Sequence, residues 1–281
     1  RYTNGNNTGI RIMGVFQNNL LAGAAGQAGA GAAAFYDYQI EQSCRFDYGS
    51  YTTFAPSSNG DRKHFTWSVW VKFTRYDLSS SFGYANIAYG TTGGSYNYNM
   101  GLVDQTTDGA ELSYQHKYAL NTYKSLRDAG AWHHIVTSYD LDNGTNADRI
   151  KIYVNGEQYT GSFQADQRSL MNENSAFNDS SYSMHLGRYR ASSGYMDGYI
   201  AEAIFLDGYV YDSSYFGETK NGVWVPKDYK TVTGNYGSNG FHLKFENASD
   251  LGNDSSGNNN DHSLTAITSD HQVLDSPTFG S

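Results

Sequence analysis

At 281 residues the chain is long enough for one large β-rich domain or two small ones. A net charge of −9 at pH 7 argues against nucleic acid as a partner, and no apolar stretch approaches the roughly 20 residues of a membrane span. A lone cysteine, Cys44, excludes an intrachain disulfide and with it a small disulfide scaffold.

Arg1-Tyr2-Thr3-Asn4-Gly5-Asn6-Asn7 is polar and has no apolar core behind it, unlike a signal peptide; either Met13 is an internal start or the sequence begins inside a longer chain. Residues 18–34 are an Ala/Gly tract in which the glycines at 23, 26, 29 and 31 each cost a helix about 1 kcal/mol. The tract therefore reads either as an extended arm, with Met13–Ala34 docked on a neighbouring subunit or shell, or as a free tail. The expected division is an arm or linker over 1–38 and a sandwich over 39–281.

From residue 39 the apolar period is two. Phe65, Trp67, Val69, Val71 and Phe73 alternate with His64, Thr66, Ser68 and Lys72, the pattern of a half-buried antiparallel strand, and Trp70 alone breaks the polar side. His133–Leu141 alternates through Ile135, Thr137, Tyr139 and Leu141. Ile150, Ile152 and Val154 lead into Asn155-Gly156, a strong hairpin signal. Further strands are predicted at Ser43–Phe46, Met184–Tyr189, Tyr199–Leu206 and Phe241–Phe245, with loops at 171–181 and 247–261. Because no stretch after residue 39 keeps a helical period for three turns, the fold class is all-β, a sandwich or barrel.

Several of these strings, in this order, carry a family resemblance. Gln42-Ser43-Cys44-Arg45-Phe46-Asp47, Phe65 to Lys72, Trp132-His133-His134-Ile135-Val136, Asp148 to Gly156, Leu186-Gly187-Arg188 and Gly198 to Gly208 resemble the successive strands of laminin-G-like domains. The resemblance implies a concanavalin-A-like jelly-roll of two antiparallel sheets. The Asp254-Ser255-Ser256-Gly257-Asn258 loop comes near the end here and before the Phe-Asp strand in many such domains, which implies a circularly permuted order.

A narrower likeness is to laminin-G-like virion proteins of tailed, especially marine, bacteriophages. It lies in Phe16 to Leu21, Thr53 to Lys63, Phe216-Gly217-Glu218, Gly222 to Lys227 and Gly240 to Phe245. It implies a virion-surface structural protein (fibre, appendage or capsid decoration) that contacts other virion subunits, forms a homo-oligomer and attaches to a host surface glycan. The alternative is a free secreted or cell-surface carbohydrate-binding lectin in an extracellular setting.

Three sets of residues are candidates for chemistry. The Asn253–Asp261 loop is rich in the oxygen donors that calcium takes, and strand parity places Glu202 with Ile200, Ile204 and Leu206 on an apolar face. Glu202, Asp254, Asn258, Asn260 and Asp261 are therefore expected to converge on one Ca2+; the competing reading is an Asx-rich turn beside a hydrogen-bonded glutamate. Tyr96, Tyr98, Tyr189, Tyr195 and Tyr199 stand beside Asn, Gly and Ser and are candidate sugar platforms, or equally subunit contacts. Catalysis is not expected: glucanases of this fold set acids two and four residues apart on one strand face, whereas Asp207 is five from Glu202 and points the other way. His133 and His134 are adjacent on a strand, face opposite sides, and read as structural.

Overall fold

The computed structural model describes residues 35–47, 49–74, 84–91, 97–106, 109–116, 118–126, 128, 130–189 and 194–278. In chain order the strands are β1 (Ser43–Phe46), β2 (Tyr51–Phe54), β3 (His64–Phe73), β4 (Tyr84–Thr91), β5 (Asn97–Thr106), β6 (Gly109–His116), β7 (Tyr118–Leu126), β8 (His133–Asp140) and β9 (Ile150–Val154). They continue as β10 (Glu157–Gln158), β11 (Phe163–Asp166), β12 (Met184–Leu186), β13 (Gly198–Asp207), β14 (Gly217–Lys220), β15 (Val223–Pro226), β16 (Phe241–Leu243), β17 (Ser263–Thr265) and β18 (Gln272–Val273). The α-helix among the described residues is α1 (Tyr229–Val232), a single turn, and among those residues no helix is long and apolar enough to cross a membrane.

The described strands form two antiparallel sheets of eight strands each, plus the β14–β15 ribbon. The first sheet runs β10-β9-β8-β3-β13-β1-β18, with β16 also on β13; the second runs β11-β7-β6-β5-β4-β12-β2-β17. This is the concanavalin-A-like sandwich. The late strands β18 and β17 pair with the early strands β1 and β2, one in each sheet.

The alternation in β3 has the anticipated geometry. Phe65, Trp67, Val69, Val71 and Phe73 enter the core between the sheets, where Trp67 packs 4.8 Å from the Phe205 ring and 5.6 Å from Phe241. β3 is nevertheless not half-buried: Thr66 and Ser68 on its other side are also inaccessible. A second apolar layer of Val136, Tyr153, Ile204, Leu206, Phe216, Tyr229 and Tyr236 lies on that side, supplied in part by residues after β13.

Strand parity misplaces one residue. A bulge shifts the β13–β3 register between Ile200 and Glu202, so Ile200 belongs to the core between the sheets while Ile204 and Leu206 belong to the outer layer. One extra residue in a strand reverses the facing of everything beyond it. The four-strand meander β4–β7 was not among the predicted strands, although Tyr98 and Met100, and Leu112 and Tyr114, alternate into the core.

Candidate functional site

Trp70, the residue out of pattern in β3, marks a groove on the outer side of the first sheet. Its cross-strand partner is His134 of β8, and the two rings stack at 4.7 Å and 15°. From β15, Trp224 stacks on the imidazole at 6.0 Å and 21° and donates its Nε1 hydrogen to His134 Nδ1 at 3.0 Å. An indole can only donate, so Nδ1 accepts and the proton sits on Nε2, which donates to Ser68 Oγ at 2.8 Å. Burial pushes the His134 pKa down to about 3, outweighing the opposing pull of Glu202.

The Asn155-Gly156 turn closes one wall. Both residues have positive φ, 48° and 87°, and Asn155 Oδ1 accepts the His134 backbone N–H at 2.8 Å. A Cβ at Gly156 would lie 2.4 Å from the Trp224 ring, so the turn geometry and the close approach both demand glycine. Trp132, just before β8, forms a further wall. Its Nε1 donates to Asp275 Oδ1 at 3.1 Å, and Asp275 also pairs with Lys72, whose ammonium lies 5.4 Å from the Trp132 ring. The cavity between these walls is about 620 Å³, with Asn155, Glu157, Lys124 and Thr219 as its polar lining. Trp70 is 5% exposed and its Nε1 has no hydrogen-bond partner.

The five expected sugar-platform tyrosines do not form one site. Tyr96 lies outside the described residues. Tyr98 is near the start of β5, but it is 4% exposed and belongs to the core, leaving no ring face for a sugar. Tyr199 is across from Lys72 on the first sheet, with the ammonium 4.8 Å from its ring, on the Trp132 side. Tyr189 and Tyr195 lie at the second sheet: Tyr189 is buried 5.2 Å from Tyr89, and half-buried Tyr195 is 6.4 Å from Tyr51.

The expected calcium ligands are engaged otherwise. Asp254 Oδ1 accepts the backbone N–H groups of His242 and Ser256, and Oδ2 accepts from Ser256 Oγ and the Asn260 N–H. Asp261 Oδ1 accepts the Asp254 N–H; the Asn258 amide donates to the carbonyls of Gly237 and Gly240, and the Asn260 amide to those of Ser238 and Gly240. Glu202 does not meet these loop carboxylates directly. Its Oε1 accepts from Tyr38 at 2.5 Å and lies 2.6 Å from His242 Nε2, and it is the His242 backbone that reaches Asp254. Among the described residues no group of three His, Cys, Asp or Glu side chains is placed to hold a metal. With both Asp254 oxygens filled by N–H and O–H donors, this side-chain set does not fit a calcium cage.

Residues 46–209, over half of the chain, match a laminin-G-type family model described as the concanavalin A-like lectin/glucanases superfamily. The chain belongs to this superfamily. Among solved structures, a putative carbohydrate binding protein from Bacteroides ovatus aligns with a TM-score of 0.55 at 16% identity, over 85% of this chain and 62% of its own, so the chain spans less than two thirds of that protein. A heptameric SAP-like pentraxin from Limulus polyphemus aligns with a TM-score of 0.44 at 11% identity, over 62% of this chain and 80% of that one. No curated protein matches the chain in sequence.

Within this superfamily member, the matched region ends before the β14–β15 ribbon, so Trp70 and Trp132 belong to the shared sandwich while Trp224 comes from the chain beyond it. The residue-level signal for the groove was Trp70, an indole on the polar side of an otherwise regular strand. Trp132 and Trp224 gave no comparable signal, because their approach to Trp70 depends on pairing and packing over long sequence separations. Asp207 is likewise structural: its oxygens accept from the Asp61 and Asn239 N–H groups and the Asn178 amide.

Proposed function

We propose that this chain is a non-catalytic carbohydrate-binding sandwich, displayed on a virion surface, whose sugar groove is bounded by Trp70, Trp132 and Trp224. The observation that carries this reading is the groove: three indoles around about 620 Å³, with amide, carboxylate, ammonium and hydroxyl groups on its lining. Pyranose rings present C–H faces that stack on indoles while their hydroxyls take hydrogen bonds from such groups, and cavities of a few hundred Å³ suit ligands of this size. The likeness to a carbohydrate binding protein of the same fold supports the ligand class.

The non-catalytic part of the reading is supported by the two acids on β13. Glu202 is committed to Tyr38 and His242, and Asp207 to backbone and amide donors, so they do not flank a common bond. The virion setting is supported by the phage-like strings Thr53 to Lys63 and Gly222 to Lys227, the second of which includes Trp224. A free lectin is the alternative, and self-association separates the two. A neutral-glycan array probed with the intact chain tests the groove. Trp132→Ala is expected to weaken any captured neutral glycan about tenfold while a cooperative thermal melt is retained. Unchanged affinity in this variant would move the sugar away from the groove.

A further inference from the structure

Among the described residues, the second sheet carries a cation with no counter-ion. Arg188, just after β12, lies with its guanidinium carbon 3.9 Å from the centre of the Tyr51 ring and donates from Nη2 to His185 Nε2 at 3.1 Å. His185 is thereby fixed: Nε2 accepts from Arg188, so Nδ1 carries the proton and donates to Thr53 Oγ1 at 2.9 Å. Among the described residues Arg188 reaches no carboxylate, although the chain has an excess of acids and a net charge of −9. Its Nε is buried without an acceptor.

The neighbourhood repeats this pattern. Of the eleven buried side-chain nitrogen and oxygen atoms left without a partner among the described residues, five belong to Arg188, Asn86 and Asn99. Asn99 is across from Tyr89 in the β4–β5 pair, and Tyr89 is across from His185 in β12. Asn86 and Tyr189 both lie beside Gly194: a Cβ there would come 2.5 Å from Tyr189 Cβ and 3.3 Å from Asn86 Nδ2. Buried groups of this kind are rare in native proteins. The guanidinium covers one face of Tyr51, and half-buried Tyr195, 6.4 Å from Tyr51, supplies further ring surface nearby.

We infer that Arg188, framed by Tyr51 and Tyr195, is a recognition site for the carboxylate of an acidic sugar. A guanidinium offers paired N–H donors matched to a planar carboxylate, Tyr51 holds it by stacking, and the Tyr195 ring suits a pyranose. The net charge of −9 disfavours a densely charged polyanion, which would have to approach a negative protein for one cation, and favours a ligand with one carboxylate per terminal sugar. The inference rests on the carbohydrate-binding reading but not on the tryptophan groove, which is on the other sheet.

The test is a glycan array of uronate- and sialate-terminated oligosaccharides printed beside their methyl esters and beside sulfated and neutral glycans, probed with the full chain. Esterification removes the charge and keeps the sugar. The expected result is capture of at least one acid at least tenfold over its ester, with that preference lost in Arg188→Gln. Neutral-glycan capture and the melting temperature serve as controls that the variant is folded. Equal capture of acid and ester by the parent chain, which needs no variant, would overturn the inference; so would a folded Arg188→Gln that keeps the preference, or sulfated glycans captured as well as carboxylates. Acid preference without neutral capture would instead remove the groove and leave this site standing.

Discussion

Gly156 illustrates how a single position can serve two masters. Its φ of 87° belongs to the tight turn after β9, and the missing Cβ lets the Trp224 ring settle against the backbone. Gly156→Ala is therefore expected to destabilise by about 1–3 kcal/mol and lower Tm by several degrees, measured by thermal melting. Gly144 makes a control, since a Cβ there would meet nothing within 4 Å. The buried histidines set a second residue-scale expectation. Burial holds His134 and His262 down to about 3; His185 lies at about 4, through burial and then Arg188. These imidazoles are neutral in the folded chain, whereas an unfolded histidine takes up a proton below about pH 6.5. The unfolded state thus binds more protons on acidification, and stability falls as pH drops from about 6.5 toward 4. Glu202 adds to the loss at the acid end: burial alone would raise its pKa, but His242 and the hydrogen bonds from His242 and Tyr38 leave it lowered, so its contribution is present above about 4.5 and lost below. Melting curves across this range should slope downward with acid; a flat profile would mean that these rings are solvated.

At the scale of an element, the loop after β16 is held by side-chain-to-backbone bonds. Asp254 accepts four hydrogen bonds while 7% exposed. Asp254→Asn would turn an amide NH2 toward N–H donors, and leaving such groups unsatisfied costs about 1–3 kcal/mol. A chelator should leave the melting temperature of the parent chain unchanged. A chelator-sensitive melt restored by calcium would show that these oxygens serve an ion instead. The β14–β15 ribbon matters for the opposite reason. Its own strands are short, yet it places Trp224 over His134 and so completes the groove.

At the scale of the whole molecule, the virion reading makes a demand that the free-lectin reading does not. A surface protein assembled through an arm should sediment as a stable oligomer that falls to monomer when residues 1–38 are removed, with sugar binding retained by the sandwich. A monomer with and without those residues would favour the free lectin. High salt should weaken capture of acidic glycans at Arg188 far more than capture of neutral glycans at the groove, because only the former rests on charge.

The fold was legible where periodicity was strong. β3, β8 and β9 carry long alternating runs whose burial drives them together whatever the rest of the chain does, and Asn155-Gly156 announces its own turn. The sequence alone therefore determined an all-β sandwich and the odd placement of Trp70. It could not determine the facing of Ile200, because a bulge in β13 is a one-residue event that only the partner strand reveals. Nor could it assemble the sites. Trp70 meets Trp224 through His134, and Arg188 meets Tyr51, across more than a hundred residues in each case, and the tyrosines chosen by local context were divided between two sheets and the core. Local composition governs which face of a strand is apolar; which strand lies beside it, and hence which polar groups are paired or left without a partner, is decided only when the two sheets close.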